Sequence, residues 1–409
     1  MKDNCIVAQS GGPTVAINAS LAGVIDGVKK NSTFTRVYGA IHGIQGVLDD
    51  NLMDLSLMAL AKYPMVTTLE LSPAMYLGSC RYKLPDFHDD PEPYEIIFNR
   101  FEKYNIGAFF YIGGNDSMDT VHKLTKYAKE IHSDVCIIGI PKTIDNDLMV
   151  TDHTPGFGSA AKYVASTVLE IAHDAYIYNI PSIVIVEIMG RDAGWLTASA
   201  CLARNSYSDA PHLVYLPEVD FDPEDFISDL NEKLTKYRTV IVAVSEGIHD
   251  KDGNYISATA AAADKFGHAQ LSGTGKALEI LIKERLDIKV RSVELNVLQR
   301  CAGHIASRTD INESFALGQA AVKYASEEMT GVMASINRIS NDPYQWLIKP
   351  APVEDIANKA KSIPKEWINE AGNDILPELE EYLRPLIIGE VSLQYKDGLP
   401  LYLPVNHLI

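Results

Sequence analysis

Apolar residues come along this chain in short unbroken runs, each stopped by glycine or charge and followed by a stretch with helical spacing. The clearest runs are 6–8, 108–114 (AFFYIGG), 135–141 (VCIIGIP), 183–190 (IVIVEIMG) and 239–247 (TVIVAVSEG). They are continuous rather than alternating, which predicts strands covered on both faces of a parallel sheet. Helical patterns fall between and after them, at 15–30, 117–131, 194–204, 223–236, 274–286 and 314–329. This alternation predicts an α/β fold of doubly wound, mostly parallel sheets. A chain of 409 residues exceeds one ordinary core, so two lobes are expected. The segment 258–263 (ATAAAA) is low in complexity but too short for a linker. After about residue 336 the texture changes, and the stretch around Pro364 reads as helical.

In doubly wound sheets, ligands bind beyond the carboxyl ends of the strands. Those ends carry this chain's unusual residues. Gly11-Gly12 lies between a strand and a helix, where bare backbone N–H groups and a helix N-terminus favour an anion. The stretch GGPTVAIN fits neither GxGxxG nor GxxxxGK[ST], and an ordinary tight turn explains it about as well. Gly113-Gly114-Asn115-Asp116 adds an amide and an acid at a helix start. Capping needs only one of them, and the pair suits placement of Mg²⁺ with phosphate. PKTIDND, 141–147, sets Lys142 and Thr143 before Asp145 and Asp147. Two carboxylates two residues apart can divide labour, one accepting a hydroxyl proton and one orienting the hydroxyl or a metal. Lys142 supplies positive charge where phosphoryl transfer accumulates negative charge. The plainer reading is a solvated Asx turn. Arg191 ends a strand beside Gly190, whereas a lone Arg81 or Arg300 is more often a surface ion pair. Glu246 ends another strand and either binds sugar hydroxyls or caps the next segment. His42, His153 and His304 lack metal-site spacing and read as structural.

A net charge of −18 argues against binding nucleic acid or an anionic membrane, though a local Arg/Lys cluster still accommodates a phosphate ester. The cysteines at 5, 80, 136, 201 and 301 are odd in number and far apart, which favours reduced thiols in a cytoplasmic protein. The start, Met1-Lys2-Asp3-Asn4 and a short apolar run, does not read as a signal peptide. No apolar run reaches the ~20 residues that span a bilayer.

Taken in order, SGGP, GGND, PKTIDND, EIMGR, SEG and LQR resemble the phosphofructokinase family over about residues 4–335. The resemblance implies two Rossmann-like lobes with the active site between them, and transfer of a phosphoryl group to the 1-hydroxyl of fructose 6-phosphate. It implies a donor-binding lobe over 1–155, with 300–335 returning to it, a sugar-phosphate lobe over 156–299 and a helical C-terminal extension over 336–409. By position, Asp145 matches the general base, with Thr143 and Asp147 its neighbours in the sugar and metal site. Gly11 and Arg81 match groups at the donor phosphates. Met189, Gly190 and Arg191 match the loop that holds the sugar phosphate, Glu246 a ligand of the sugar hydroxyls, and Arg300 a ligand of the 6-phosphate.

Asp116 and Lys142 stand where ATP-using members carry glycine, so the chain resembles the pyrophosphate-dependent branch. A carboxylate at 116 repels the α-phosphate of ATP, while Lys142 holds pyrophosphate without a nucleotide. Mg²⁺ is the implied cofactor, at Asn115 and Asp116, and the implied assembly is a homodimer or homotetramer. Three departures stand out: GGND for GGDD, Val297 before LQR, and Ser182 near the position of an arginine that reaches a neighbouring subunit's sugar phosphate. The last two bring in sedoheptulose 7-phosphate as an alternative acceptor. The rival readings are an ATP-dependent enzyme and a sugar-phosphate-binding regulatory subunit without catalysis; intact Asp145, Asp147 and Arg191 argue against the second. A nicotinamide dehydrogenase would need the GxGxxG turn that is missing.

Overall fold

A computed structural model describes residues 3–60, 65–257 and 273–408; the 258–263 run lies outside the described residues. The principal strands are β1 (Asn4–Gln9), β2 (Arg36–Ala40), β3 (Leu52–Asp54), β4 (Ile106–Gly113), β5 (Cys136–Pro141), β6 (Ser182–Ile188), β7 (Leu213–Tyr215), β8 (Thr239–Ser245), β9 (Lys289–Glu294), β10 (Val332–Asn341) and β11 (Tyr344–Pro352). The chain divides into two units. The first gathers Met1–Ser159, Arg300–Ala360 and Gly389–Ile409; the second gathers Ala160–Gln299 and Lys361–Ile388.

The first unit is built on a sheet of order β11-β10-β5-β4-β1-β2-β3. Its middle is parallel, and β3 and β11 close the two edges antiparallel. Alternate residues of the central strands enter opposite cores: Cys5, Val7, Ala108, Phe110 and Ile112 on one face, Ile6, Ala8, Phe109 and Tyr111 on the other. Covering both faces explains why these runs are continuous in apolarity. The helix Ile17–Lys30 packs against Arg308–Ser326 so closely that a Cβ on Gly23 would stand 2.0 Å from the Phe315 carbonyl oxygen, and one on Gly318 2.2 Å from that of Ser20. Two glycines at one crossing bring the distant segment home.

The second unit has a parallel sheet of order β7-β8-β6-β9. One of its faces buries Ile183, Ile185, Val240, Val242 and Val244 with Phe226 and Leu278. Among the described residues no helix is long and apolar enough to cross a membrane.

The expectation of a helical extension over 336–409 is corrected. Residues 336–352 belong to the antiparallel pair β10–β11, and helix is confined there to Pro377–Leu383 and short 3₁₀ turns. The period-two signal is weak because β11 is an edge strand, with polar and apolar residues half-exposed along it. The tail is also shared between the units rather than standing apart. In the second unit, Trp195, Trp367 and Tyr382 stack within 6.3 Å of one another, and Trp195 Nε1 donates to the Lys361 carbonyl at 2.9 Å. Segment 361–388 thereby braces the chain just after Arg191.

Candidate active site

In the first unit the switch of winding direction lies between β1 and β4, and the strand ends there are bonded to each other. Ser10 N–H donates to Ile112 O at 2.9 Å, and Lys142 N–H to Gly113 O at 2.9 Å. Gly11 follows with φ +78°, a conformation that suits glycine. Ser79 Oγ donates to its carbonyl at 2.7 Å, which draws the segment leading to exposed Arg81 up to the turn.

Lys142 is 2% exposed, and its Nζ donates to Gly12 O at 2.6 Å. A Cβ on Gly11 would lie 3.0 Å from Lys142 Nζ, and one on Gly12 3.3 Å from Arg300 Nη1. Gly11, Gly12, Lys142 and Arg300 thus converge. Burial lowers the lysine's pKa to about 8; Asp145 and Asp147 pull it upward, and Arg300 pushes it further down. The structure therefore groups Arg300 with Gly11, Gly12 and Lys142 in the first unit.

Asp145 is fixed by its own loop. Thr143 Oγ1 donates to Asp145 Oδ2 at 3.3 Å and accepts from Asp145 N–H at 3.1 Å. The loop then closes on itself. Thr143 N–H reaches Pro155 O at 3.2 Å, Thr154 Oγ1 donates to Thr143 O at 2.8 Å, and Thr154 N–H donates to Asn146 Oδ1 at 3.1 Å. Asn146 is buried with φ +55°, which turns the chain between two half-buried carboxylates, Asp145 and Asp147. A plain Asx turn has no such internal bracing.

Asn115 and Asp116 differ sharply. Asn115 Oδ1 accepts from Asn358 N–H at 2.6 Å, and its Nδ2 donates to Lys359 O at 2.5 Å. Asn358 Nδ2 also donates to Asp119 Oδ1 at 2.9 Å, and Ala360 bridges to Leu148. Both ends of the Asn115 amide are engaged by a strap of chain some 243 residues away, whereas the Asp116 carboxylate is exposed in the first helical turn. Among the described residues no three His, Cys, Asp or Glu side chains cluster as a metal site. The exposed Asp116 carboxylate suits a Mg²⁺ ion that takes most of its shell from phosphates and water; the engaged Asn115 amide does not.

In the second unit, Met189, Gly190, Arg191 and Glu246 gather at the ends of β6 and β8. Glu246 N–H donates to Ile188 O at 2.9 Å, its Oε1 faces Gly190 N–H at 3.4 Å, and its carbonyl accepts from Thr274 Oγ1 at 2.9 Å. Gln299 Oε1 accepts from Met189 N–H at 3.2 Å. Arg191 pairs with exposed Asp192 at 2.8 Å. Glu218 Oε1 ties Gly194 N–H at 2.9 Å to Ile363 N–H at 3.1 Å, a brace that sequence reasoning missed because no motif marks it. Ser182 opens β6 at the end away from Gly190, its hydroxyl 3.1 Å from that of Thr239. Val297 is exposed.

Two doubly wound units with glycine, lysine and aspartate at the strand ends define a class: the chain belongs to the phosphofructokinase family, whose model, described as "Phosphofructokinase", matches residues 4–325. It is 41% identical to the pyrophosphate--fructose 6-phosphate 1-phosphotransferase of Xanthomonas campestris, over 99% of this chain and 96% of that one. The protein of the same name from Halomonas elongata is 38% identical, over 97% and 94%. The crystal structure of the pyrophosphate-dependent phosphofructokinase from Marinobacter aquaeolei superposes with a TM-score of 0.87 at 35% identity, covering 98% of this chain and 95% of that one.

Proposed function

We propose that the protein transfers a phosphoryl group, reversibly and with Mg²⁺, from pyrophosphate to the 1-hydroxyl of fructose 6-phosphate. The observation that carries this reading is Lys142: a buried ammonium against the Gly11-Gly12 turn, facing Asp145 and Asp147. Burying a cation in water-poor surroundings is unfavourable unless an anion arrives to meet it. Two phosphates are such an anion.

Asp145 accepts the proton of the sugar hydroxyl as its oxygen attacks phosphorus, and Thr143 holds the carboxylate in place. The bridging P–O bond breaks, and Lys142 with Arg300 and Arg81 offsets the charge that develops on the departing phosphate. Asp116, with the phosphates, would hold the Mg²⁺, which would supply further neutralisation of phosphate charge. Asp147 orients the hydroxyl. Met189, Gly190 and Arg191 bind the sugar's phosphate, and Glu246, already fixing Gly190, binds sugar hydroxyls. Asp116 disfavours ATP by placing negative charge where an α-phosphate would lie. The family resemblance supports a cytoplasmic homodimer or homotetramer.

The test is direct: purified protein with fructose 6-phosphate and Mg²⁺, supplied with pyrophosphate or ATP. Fructose 1,6-bisphosphate forms with pyrophosphate. Turnover with ATP alone overturns the donor assignment.

A further inference from the structure

Next to the Asp145 loop lies a buried group of charges that the proposed chemistry leaves unused. His153 Nδ1 is 2.8 Å from Asp152 Oδ1, and Nε2 is 2.6 Å from Glu313 Oε2. A neutral imidazole donates from one nitrogen only. Its other lone pair would then face a carboxylate oxygen, whereas a ring protonated on both nitrogens satisfies both carboxylates at once.

The surrounding charges agree. Arg338 in β10 donates to Asp152 Oδ1 from Nε at 3.1 Å and from Nη2 at 2.8 Å. Tyr344 in β11 donates to Glu313 Oε1 at 2.6 Å, and Arg338 lies over its ring at 5.3 Å. Asp310, one turn before Glu313 on the helix Arg308–Ser326, accepts from Gly156 N–H at 2.8 Å and Ser159 N–H at 3.0 Å. Burial opposes charge on His153, and Glu313 and Asp152 more than offset it, lifting the imidazole to about 9. Burial also pushes Asp152 up, but His153 and Arg338 hold it at about 2. Burial raises Asp310.

We propose that His153 is a positioning residue for proton transfer: clamped between Asp152 and Glu313, it fixes the returning limb of the loop that holds Asp145. The limb is short. His153 precedes Thr154, which bonds to both Asn146 and Thr143. On the other side, Asp152 N–H donates to Ile336 O at 2.9 Å, and Ile336 N–H to Thr151 Oγ1 at 3.0 Å. Losing the imidazole charge would leave Glu313 and Asp152 with one cation between them and weaken the tie of the loop to Glu313. The inference rests on Asp145 being the base, though its test can be read separately.

The experiment uses the full-length protein and Glu313→Gln, which keeps shape and an acceptor but removes one charge. One opposite charge is worth ~1–3 pH units to its partner. His153 therefore drops ~1–3 units from about 9 in E313Q, and the alkaline limb of kcat/KM for pyrophosphate moves to lower pH than the limb near 8 set by Lys142, while kcat/KM at the acid end of the profile stays near wild type. A purely structural role would instead scale kcat/KM equally at every pH, and that outcome overturns the proposal. So does an unshifted profile. Imidazole ¹⁵N NMR of the wild-type protein checks the charge independently of how the variant folds: at pH 7, His153 shows two protonated nitrogens, and a neutral ring there also overturns it. Failure of the Asp145 reading appears elsewhere, as retained activity in D145N.

Discussion

The strand ends of the two units hold their charges in opposite ways. In the first, Lys142 is buried, its pKa pushed down by burial, and Asp145 is bonded into its own loop. In the second, Arg191 is half-buried and already paired with an aspartate whose side chain is 61% exposed. The second arrangement suits binding, because an arginine paired with an exposed aspartate exchanges that partner for a phosphate at little cost. The first suits a transition state, because a desolvated cation interacts most strongly with charge that develops beside it. In the proposed function, bond making falls to the first unit and recognition of the sugar phosphate to the second.

This contrast can be broken in graded steps. The largest effect is expected for Asp145→Asn, with kcat lowered ~10²–10⁴-fold and the melting temperature little changed. Steady-state kinetics and thermal unfolding check both halves, and near-normal kcat would remove Asp145 from its role.

Next comes Lys142→Met, with kcat lowered ~10²–10³-fold. Its stability should move the other way. A lysine held at about 8 against 10.5 unfolded destabilises the fold while charged. That penalty is fully present below pH 8 and disappears as pH rises toward the unfolded value. Urea midpoints should therefore favour K142M at pH 7 and converge with wild type near pH 10. In wild type, kcat/KM for pyrophosphate should fall as pH passes about 8, and K142M should lack that limb.

A smaller change is expected in the second unit. Arg191→Ala removes charge-assisted hydrogen bonds worth ~1.5–3 kcal/mol, so KM for the sugar phosphate rises ~10–150-fold while KM for pyrophosphate holds. A larger loss in kcat than in KM would erase the division between the units.

The smallest separates two readings of Asn115. If it binds metal, Asn115→Asp strengthens Mg²⁺ binding. If it is the latch that its partners indicate, the new carboxylate can no longer donate to Lys359 O, and KM for pyrophosphate rises about 2–10-fold. A Mg²⁺ titration at fixed pyrophosphate distinguishes them.

Legibility in the sequence followed distance along the chain. The strand runs of β1, β4, β5, β6 and β8 were readable because their burial is written in consecutive residues. PKTIDND was readable because its charge interrupts such a run. Short β2, β3 and β7 and half-exposed β9 left no such trace, since few of their residues are both apolar and adjacent. The Asn115 latch, the His153 clamp across 160 residues and the Glu218 brace across 145 all depend on partners that only folding brings near. For Asn115 the residue type points to a metal, whereas partners some 243 residues away point to a latch. The tail was misread because edge strands lack the continuous apolarity that marked the others.

The interleaving of segments bears on synthesis at the ribosome. The first unit needs Gly389–Ile409 and the second needs Lys361–Ile388, so neither is complete until nearly the whole chain has emerged. The first 159 residues leave the tunnel with a helix, Ile17–Lys30, whose glycine-lined face has no partner until Arg308–Ser326 follows. At ~5–20 residues per second that exposed interval lasts roughly ten seconds or more. The nascent chain must cross it before either fold closes, which makes this helix face the natural place for a chaperone to act.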